Sequence, residues 1–472
     1  MELNKLPTLR KIDPNRRKKK KILLLSDDLR LFSGIGTMSK EIVLNTCAEY
    51  DWVQLGAAIK HPEAGKVFDL SEEVIKDTGV SDAYCKIYCT DGYGNPQLLQ
   101  QIIDIEKPDA IMHFTDPRFW GWLYNIEHQL RQTMPLMYYN IWDDLPYPHW
   151  NEPFYESCDL LLNISRQTNN IVKNVLQKFP KEDWAVQYVP HGCNEKNYYP
   201  ISALHPIAPE VDFVIFWNNR NIRRKQPADL ILSYKTFCDK LPKEKAKKCI
   251  LVLKTQAIDD NGTDLPAVIK ALCPNYKVYI HDVNISNKEM NFFYNMADVT
   301  ANIASNEGFG ISWCESLHTA TPIINNVTGG LQDGCRFEDE NGDWVEFTTE
   351  FPTNHDGTYR THGEWAYPVY PSNRSIQGSP QTPYIFDDRV DFKDVAEGML
   401  YWYEMDKTER LAKGNAGYEW VKGDESNMSA RRMGIRFIDC MDKCFKEWTP
   451  RKRFTLFNTN EIDLEINKVG VI

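Results

Sequence analysis

The sequence predicts an α/β protein built from two Rossmann-like, doubly wound halves, and three observations carry that prediction. Short apolar runs, among them Ile22–Ser26, Ala110–Phe114 and Leu160–Ile164, alternate with helix-patterned stretches, as buried parallel strands do. The alternation occurs twice, on either side of a Pro-rich, pattern-poor segment at Ile201–Glu210, where a linker is expected. The chain of 472 residues is long enough for two or three domains.

In chain order, residues 1–20 read as an irregular basic arm. The first half, 21–200, opens with the strand Ile22–Ser26, a glycine loop at Ser33–Thr37 and a helix over 38–50, a first βα unit. Strands follow at Trp52–Ile59, Tyr84–Cys89, Ala110–Phe114, Leu136–Asn140, Leu160–Ile164 and Val186–Val189. The second half, 210–400, runs through strands at Asp212–Trp217, Cys249–Leu253, Lys277–Ile280, Val299–Ile303 and Pro322–Ile324. Residues 335–385 interrupt it with a stretch rich in Thr, Pro, Asp, Gly and aromatics, including Trp344, Trp365 and Tyr384. An excursion of that length reads either as packed surface or as a lid or acceptor-binding element. Helices and an extended tail occupy 401–472.

Composition narrows the classes. A net charge of −11 argues against a protein that binds nucleic acid over its whole surface, although Arg16–Lys21 is a local basic run. No apolar run reaches the length of a membrane span, and the N-terminal apolar run, Ile22–Leu25, is too short for a signal-peptide core. The twelve cysteines show no metal-binding spacing and are read as reduced, with a cytoplasmic location expected. The adjacent pairs Asp27-Asp28, Asp143-Asp144, Asp259-Asp260 and Asp387-Asp388 are read as solvated or capping residues rather than metal ligands.

The chemistry concentrates in Ser305–Asp333, SNEGFGISWCESLHTATPIINNVTGGLQD. Glycines 308 and 310 let backbone N–H groups approach a ligand, and a helix start at Ile311 adds orphan donors and a positive dipole end. Together Gly308, Phe309, Gly310 and Ile311 suit a phosphate. Glu307 and Glu315 frame the loop, and carboxylates beside a phosphate site suit sugar hydroxyls. This stretch resembles the Glu-x7-Glu signature of retaining GT-B glycosyltransferases, in particular glycosyltransferase family 4 with its EGFG loop. The resemblance is strong over about 210–335, moderate over 21–195 and absent over 335–385. Trp313 and Cys314 depart from the small or aliphatic residues usual before the second glutamate, and Asn218-Asn219 from the usual small residue and glycine.

The resemblance implies the GT-B fold, with the last helices crossing back to the first half. It places Glu307 by the donor sugar and Glu315 on the nucleotide ribose. Arg220 and Lys225 match an Arg-x4-Lys element that grips the diphosphate, with Arg223 and Arg224 as extra cations. Gly34 and Gly36 match the first-half loop that approaches the donor, and His113 matches a strand-end histidine near the sugar's outer hydroxyls. His191-Gly192 matches a structural turn. The implied reaction is a front-face transfer with retention, in which the leaving diphosphate takes the acceptor's proton. Neither a metal nor another cofactor is required; the nucleotide-diphosphate sugar is the donor. The acceptor is a glycan, a small molecule or DNA, the last because some bacteriophages use enzymes of this fold on hydroxymethylated bases. A non-catalytic sugar-nucleotide-binding scaffold is the alternative class, with a phosphorylase or an epimerase on the same frame as a third. The oligomeric state is left open.

Overall fold

The structure is a computed structural model and describes residues 18–201 and 210–452. The first half contains β1 (Lys20–Asp27), β2 (Tyr50–Ala58), β3 (Val67–Asp69), β4 (Cys85–Asp91), β5 (Ala110–Phe114), β6 (Leu136–Asn140), β7 (Leu160–Asn163) and β8 (Val186–Tyr188). They form one sheet in the order β3-β4-β2-β1-β5-β6-β7-β8. Every pairing is parallel except β3 with β4. The second half contains β9 (Phe213–Asn218), β10 (Cys249–Lys254), β11 (Lys277–His281), β12 (Val299–Asn302), β13 (Ile323–Asn326) and β14 (Ala366–Val369). Its sheet is wholly parallel, in the order β11-β10-β9-β12-β13-β14.

That order is the doubly wound one, reversing beside β9, and the first sheet reverses in the same way beside β1. The cause is visible in β1. Ile22 and Leu24 face one side of the sheet, Leu23 and Leu25 the other, and all four are completely buried. Such a strand is stable only with helices on both faces. Reversal of strand order leaves a crevice at the carboxyl ends, and the loops after β1, β9 and β12 open into these crevices.

The chain returns to the first half in its last helix, Ala430–Glu447. Phe437 packs edge-on to Tyr139 with ring centroids 4.9 Å apart, and Tyr50 donates a hydrogen bond to Asp442 at 2.5 Å. Gly192 lies against the start of this helix, where a Cβ would come 2.4 Å from the Ser429 carbonyl. The two-half architecture with returning helices is therefore as expected.

Several expectations are corrected. The basic run is not wholly a free arm. β1 begins at Lys20, Lys19 is buried, and its ammonium donates to the Cys47 carbonyl (2.9 Å) and to Asp82 (2.6 Å). Lys21 pairs with Glu106 at 2.9 Å. Arg16, the linker over 202–209 and the tail beyond 452 lie outside the described residues. The stretch 335–385 is not one insertion into a finished domain. β14 lies inside it and completes the second sheet beside β13, from Ile323↔Ala366 to Asn326↔Val369. Its sequence, AYPV, hides the strand because of Pro368, which is tolerated here because β14 is an edge. The hairpin β15 (Asn373–Ser379) and β16 (Thr382–Arg389) then reaches over to the first half. The Phe386 N–H donates to the Leu145 carbonyl at 2.8 Å, and Tyr384 packs edge-on to Trp150 at 4.3 Å. Three of the aspartate pairs are also not simply solvated or capping, since each has one buried member: Asp144 and Asp388 are completely buried, and Asp28 is 1 % exposed. All twelve cysteines are free thiols, eleven of them buried.

Candidate functional site

The loop after β12 and the loop after β9 meet at the switch point of the second sheet. The Ser305 N–H donates to the Arg224 carbonyl (2.7 Å), and the Gly330 N–H to the Glu307 carbonyl (2.8 Å). Gly310, at φ 81°, caps the helix Ile311–His318 in the left-handed region that glycine tolerates. Gly308 is needed for a different reason. A Cβ there would come 2.7 Å from the Ile141 carbonyl of the first half, so the glycine lets the two halves close directly over the loop. Phe309 is buried against His191 (5.1 Å) and Trp313 (4.9 Å). Trp313 fits where a small residue was expected because its ring lies over Gly334, where a Cβ would clash at 2.6 Å.

Glu307 and Lys225 form a buried ion pair. Arg224 stands 3.7 Å from Glu307 Oε2 and 3.7 Å from Asp143 of the first half, and it donates to the Asn306 carbonyl at 2.8 Å. Burial and the neighbouring Arg224 press the Lys225 ammonium toward neutrality; the Glu307 carboxylate in contact with it opposes that. Glu307 Oε2 has charge partners but no well-aligned hydrogen bond, so its lone pairs remain available to a hydroxyl.

Glu315 lies one turn into the helix. The Tyr294 hydroxyl donates to it at 2.6 Å, and Tyr198 and Asn218 also bond to it. Part of the side chain is open to solvent, but the carboxyl lies deep, and burial pushes it up to about 7. Asn218, which departs from the expected small residue, donates to Tyr294 at 3.0 Å and so belongs to this cluster.

The other predicted residues are placed differently. Arg220 is mostly exposed and pairs with Asp259 at 2.9 Å, so the structure brings Arg224, rather than Arg220, to Glu307. His113 is completely buried, stacked on Tyr138 at 4.0 Å and bonded to the Tyr124 hydroxyl. Burial drives it down to about 3, and it is a neutral core residue. The structure does not bring His113 to the cleft. Gly34 and Gly36 begin the helix Gly34–Thr46, where Ser33 Oγ accepts from the Gly36 N–H at 3.0 Å and donates to Asp27 at 3.2 Å.

Two cavities flank Asn306. One, of about 310 Å³, lies between the first half and the hairpin, lined by Asp116, Arg118, Trp142, Asp143 and Thr382 among others. The other, of about 520 Å³, is lined by Arg223, Arg224 and Arg389 together with Asp229 and Asp387. Gln377 of the hairpin lines both. Sequence reasoning did not find Asp143, Tyr198 or Tyr294 as site residues, because each reaches the site only through the tertiary fold, and it assigned no role to Asn306, which stands in the loop itself. Arg224 was visible as an extra cation able to reach phosphate or solvent, without a protein partner.

No protein-family profile matches the chain, and no curated protein is similar to it in sequence. Solved structures are similar in shape. Sucrose-phosphate synthase from Thermosynechococcus elongatus superposes with a TM-score of 0.62 at 13% identity, over 91% of this chain and 100% of that one. A trehalose-6-phosphate structure from E. coli bound with UDP-2-fluoro glucose gives 0.61 at 12% identity, over 92% and 100%. Anabaena HepE in complex with UDP and glucose gives 0.60 at 11% identity, over 90% and 100%. With two parallel, doubly wound sheets facing a cleft and a last helix returning to the first half, the chain has the GT-B fold.

Proposed function

We propose that the protein is a retaining glycosyltransferase that moves a sugar from a nucleotide-diphosphate donor to a hydroxyl acceptor. The observation that carries this reading is the buried Glu307–Lys225 pair at the second switch point, with Arg224 beside it. The diphosphate takes its charge partners from Lys225 and Arg224 and from the amides of the 308–311 loop, which act most strongly in a site shielded from water. Arg220 contributes only if it leaves Asp259. Glu307 accepts from the sugar hydroxyls, and Glu315, held by Tyr294, meets the ribose. No carboxylate is needed beneath the sugar, because the departing diphosphate takes the acceptor's proton on the same face.

The acceptor enters the cavity between the first half and the hairpin, where Trp142 offers a ring and Asp116, Arg118 and Thr382 offer polar groups. A saccharide or small polyol suits that lining. A DNA acceptor is less well supported, because Lys19 and Lys21 of the basic run are held in ion pairs. The similar structures of HepE in complex with UDP and glucose and of the E. coli protein bound with UDP-2-fluoro glucose put UDP-sugars first in the test. The protein is incubated with UDP-, GDP-, ADP- and CMP-sugars and nucleotide release is followed, in parallel with Glu307→Gln. Release from one donor, reduced by about 100-fold or more in the variant, supports transfer. Binding of a nucleotide without release from any donor favours the sugar-nucleotide-binding scaffold, and no binding at all refutes both.

A further inference from the structure

Among the described residues, two buried clusters combine histidine with aspartate or cysteine outside the donor site. In the first, Asp28, His61 and Cys89, a cation is already present. The Arg30 guanidinium donates to both oxygens of Asp28 (3.0 and 2.6 Å) and lies 3.1 Å from Cys89 Sγ. The second cluster, Asp144, His355 and Asp388, is built differently. Asp144 follows β6 of the first half, His355 comes from the excursion before β14, and Asp388 ends β16. Thr328, in the turn after β13, stands between the two carboxylates. None of the four exceeds 4 % exposure.

Donor accounting leaves this cluster short. Asp144 Oδ1 accepts from the Leu145 N–H and the Gln167 amide, both at 2.7 Å. Asp388 Oδ1 accepts from Arg374 Nε at 3.1 Å. The two Oδ2 atoms share the Thr328 hydroxyl, at 2.7 and 2.9 Å, whose one proton can serve only one of them, and the two carboxyl groups also face each other. His355 Nε2 lies 2.9 Å from Asp388 Oδ2 and 3.8 Å from Asp144 Oδ1. Neither approach is aligned as a hydrogen bond, and Nδ1 is unpartnered as well. Arg374 offsets one carboxylate charge from the rim at Asp388 Oδ1, but among the described residues no cation stands beside Asp144, and the buried imidazole between the two carboxylates has no well-aligned hydrogen bond at either nitrogen.

We propose that Asp144, His355 and Asp388 form a structural site for one divalent cation, bound by His355 Nε2 and one oxygen from each aspartate, with the Thr328 hydroxyl beside it. One imidazole with two carboxylates suits an ion of the Zn²⁺ or Mn²⁺ class. With Arg374 already facing Asp388 from the rim, the ion's charge is directed chiefly at Asp144, and the ion ties the first half, the β13 turn and the hairpin together. Complete burial keeps it out of the transfer reaction.

The full-length chain is stripped with EDTA, equilibrated separately with Zn²⁺ and Mn²⁺, desalted and measured by elemental mass spectrometry. One ion per chain of at least one metal is expected, with a higher melting temperature for the loaded protein. Asp388→Asn and His355→Gln should each lower uptake by about 10-fold or more, whereas Cys89→Ser, in the other cluster, should leave it unchanged. No uptake by the wild-type chain overturns the proposal and is the result expected if the two carboxylates share a proton instead. Uptake unchanged in both variants also overturns it, since the ion would then sit elsewhere. If the variants do not fold, Co²⁺ loading of the wild type decides: visible absorption of a nitrogen-ligated site supports the proposal, and its absence overturns it.

Discussion

Lys225 and Glu307 stabilise the second half only as a pair, and a double-mutant cycle can measure this. Lys225→Met leaves a buried carboxylate without its contact partner, a change that costs about 3–5 kcal/mol in buried pairs generally. Arg224 remains 3.7 Å away. At an effective dielectric of 20 that separation is worth roughly 4 kcal/mol before screening, but Arg224 is about a third exposed, so only part of that compensation survives. A net loss of about 2–3 kcal/mol is therefore expected. Glu307→Gln should cost less. Burial and Arg224 already press the Lys225 ammonium toward neutrality, so in that variant the lysine sheds its proton rather than remaining a buried, unpaired charge. A lysine depressed in the folded state loses stability at pH values below its unfolded range. The deficit of Glu307→Gln should therefore shrink as pH rises toward the ordinary lysine range. The double variant should fall short of additivity by about 2 kcal/mol. In scanning calorimetry a loss of 2–3 kcal/mol appears as a drop of roughly 5–10 °C in the transition of a half this size. Additivity within about 0.5 kcal/mol, or a larger cost for Glu307→Gln than for Lys225→Met at pH 9, would refute the pairing.

Glu315 gives a prediction of opposite sign. Its folded value, raised to about 7 by burial, means the wild type loses stability as pH rises from the ordinary carboxylate range through 7. Glu315→Gln, which does not titrate, should gain on it by up to ~3 kcal/mol, levelling off above that point; melting curves from pH 5 to 8 test this, and a parallel pair of curves contradicts it. Gly308→Ala places a methyl 2.7 Å from the Ile141 carbonyl and should hold the halves apart. Donor turnover is expected to fall by about 10-fold or more while far-UV circular dichroism stays unchanged. Arg118 hooks the hairpin turn through the Gln381 carbonyl at 2.6 Å. Arg118→Ala should raise the acceptor KM several-fold and leave nucleotide affinity, read by calorimetry, within about twofold.

Much of the fold was legible because its strands are buried on both faces. Ile22–Leu25 and Ile323-Ile324 leave no alternative to a covered parallel sheet. β14 was not legible, since a short strand with proline at an edge carries no periodic signal. The candidate stretch at 305–315 stood out in the sequence because its glycines and glutamates are local. The Tyr198, Tyr294 and Asn218 shell of Glu315 did not, because its members are brought together only by folding. His113 and Arg220 show the limit of transferring a role by position alone. A strand-end histidine becomes a core residue once Tyr124 and Tyr138 close over it, and a basic loop can turn one of its arginines away to Asp259. The aspartate pairs show the same limit. Asp144 and Asp388 look like surface residues until the fold removes them from water.

The strap formed by the last helix has a mechanical consequence. Among the described residues the chain has reached the second half by Tyr199, whose N–H donates to Asn291 at 3.1 Å, and it passes back near residue 428. At that return, the Cys193 N–H donates to the Met428 carbonyl and the Ala430 N–H to the Cys193 carbonyl, both at 2.8 Å. Phe437 and Asp442 then fasten the strap to Tyr139 and Tyr50 of the first half. A single proteolytic cut between 201 and 210 would therefore leave the halves joined, and the nicked protein should migrate as one particle on a sizing column while running as two fragments in denaturant.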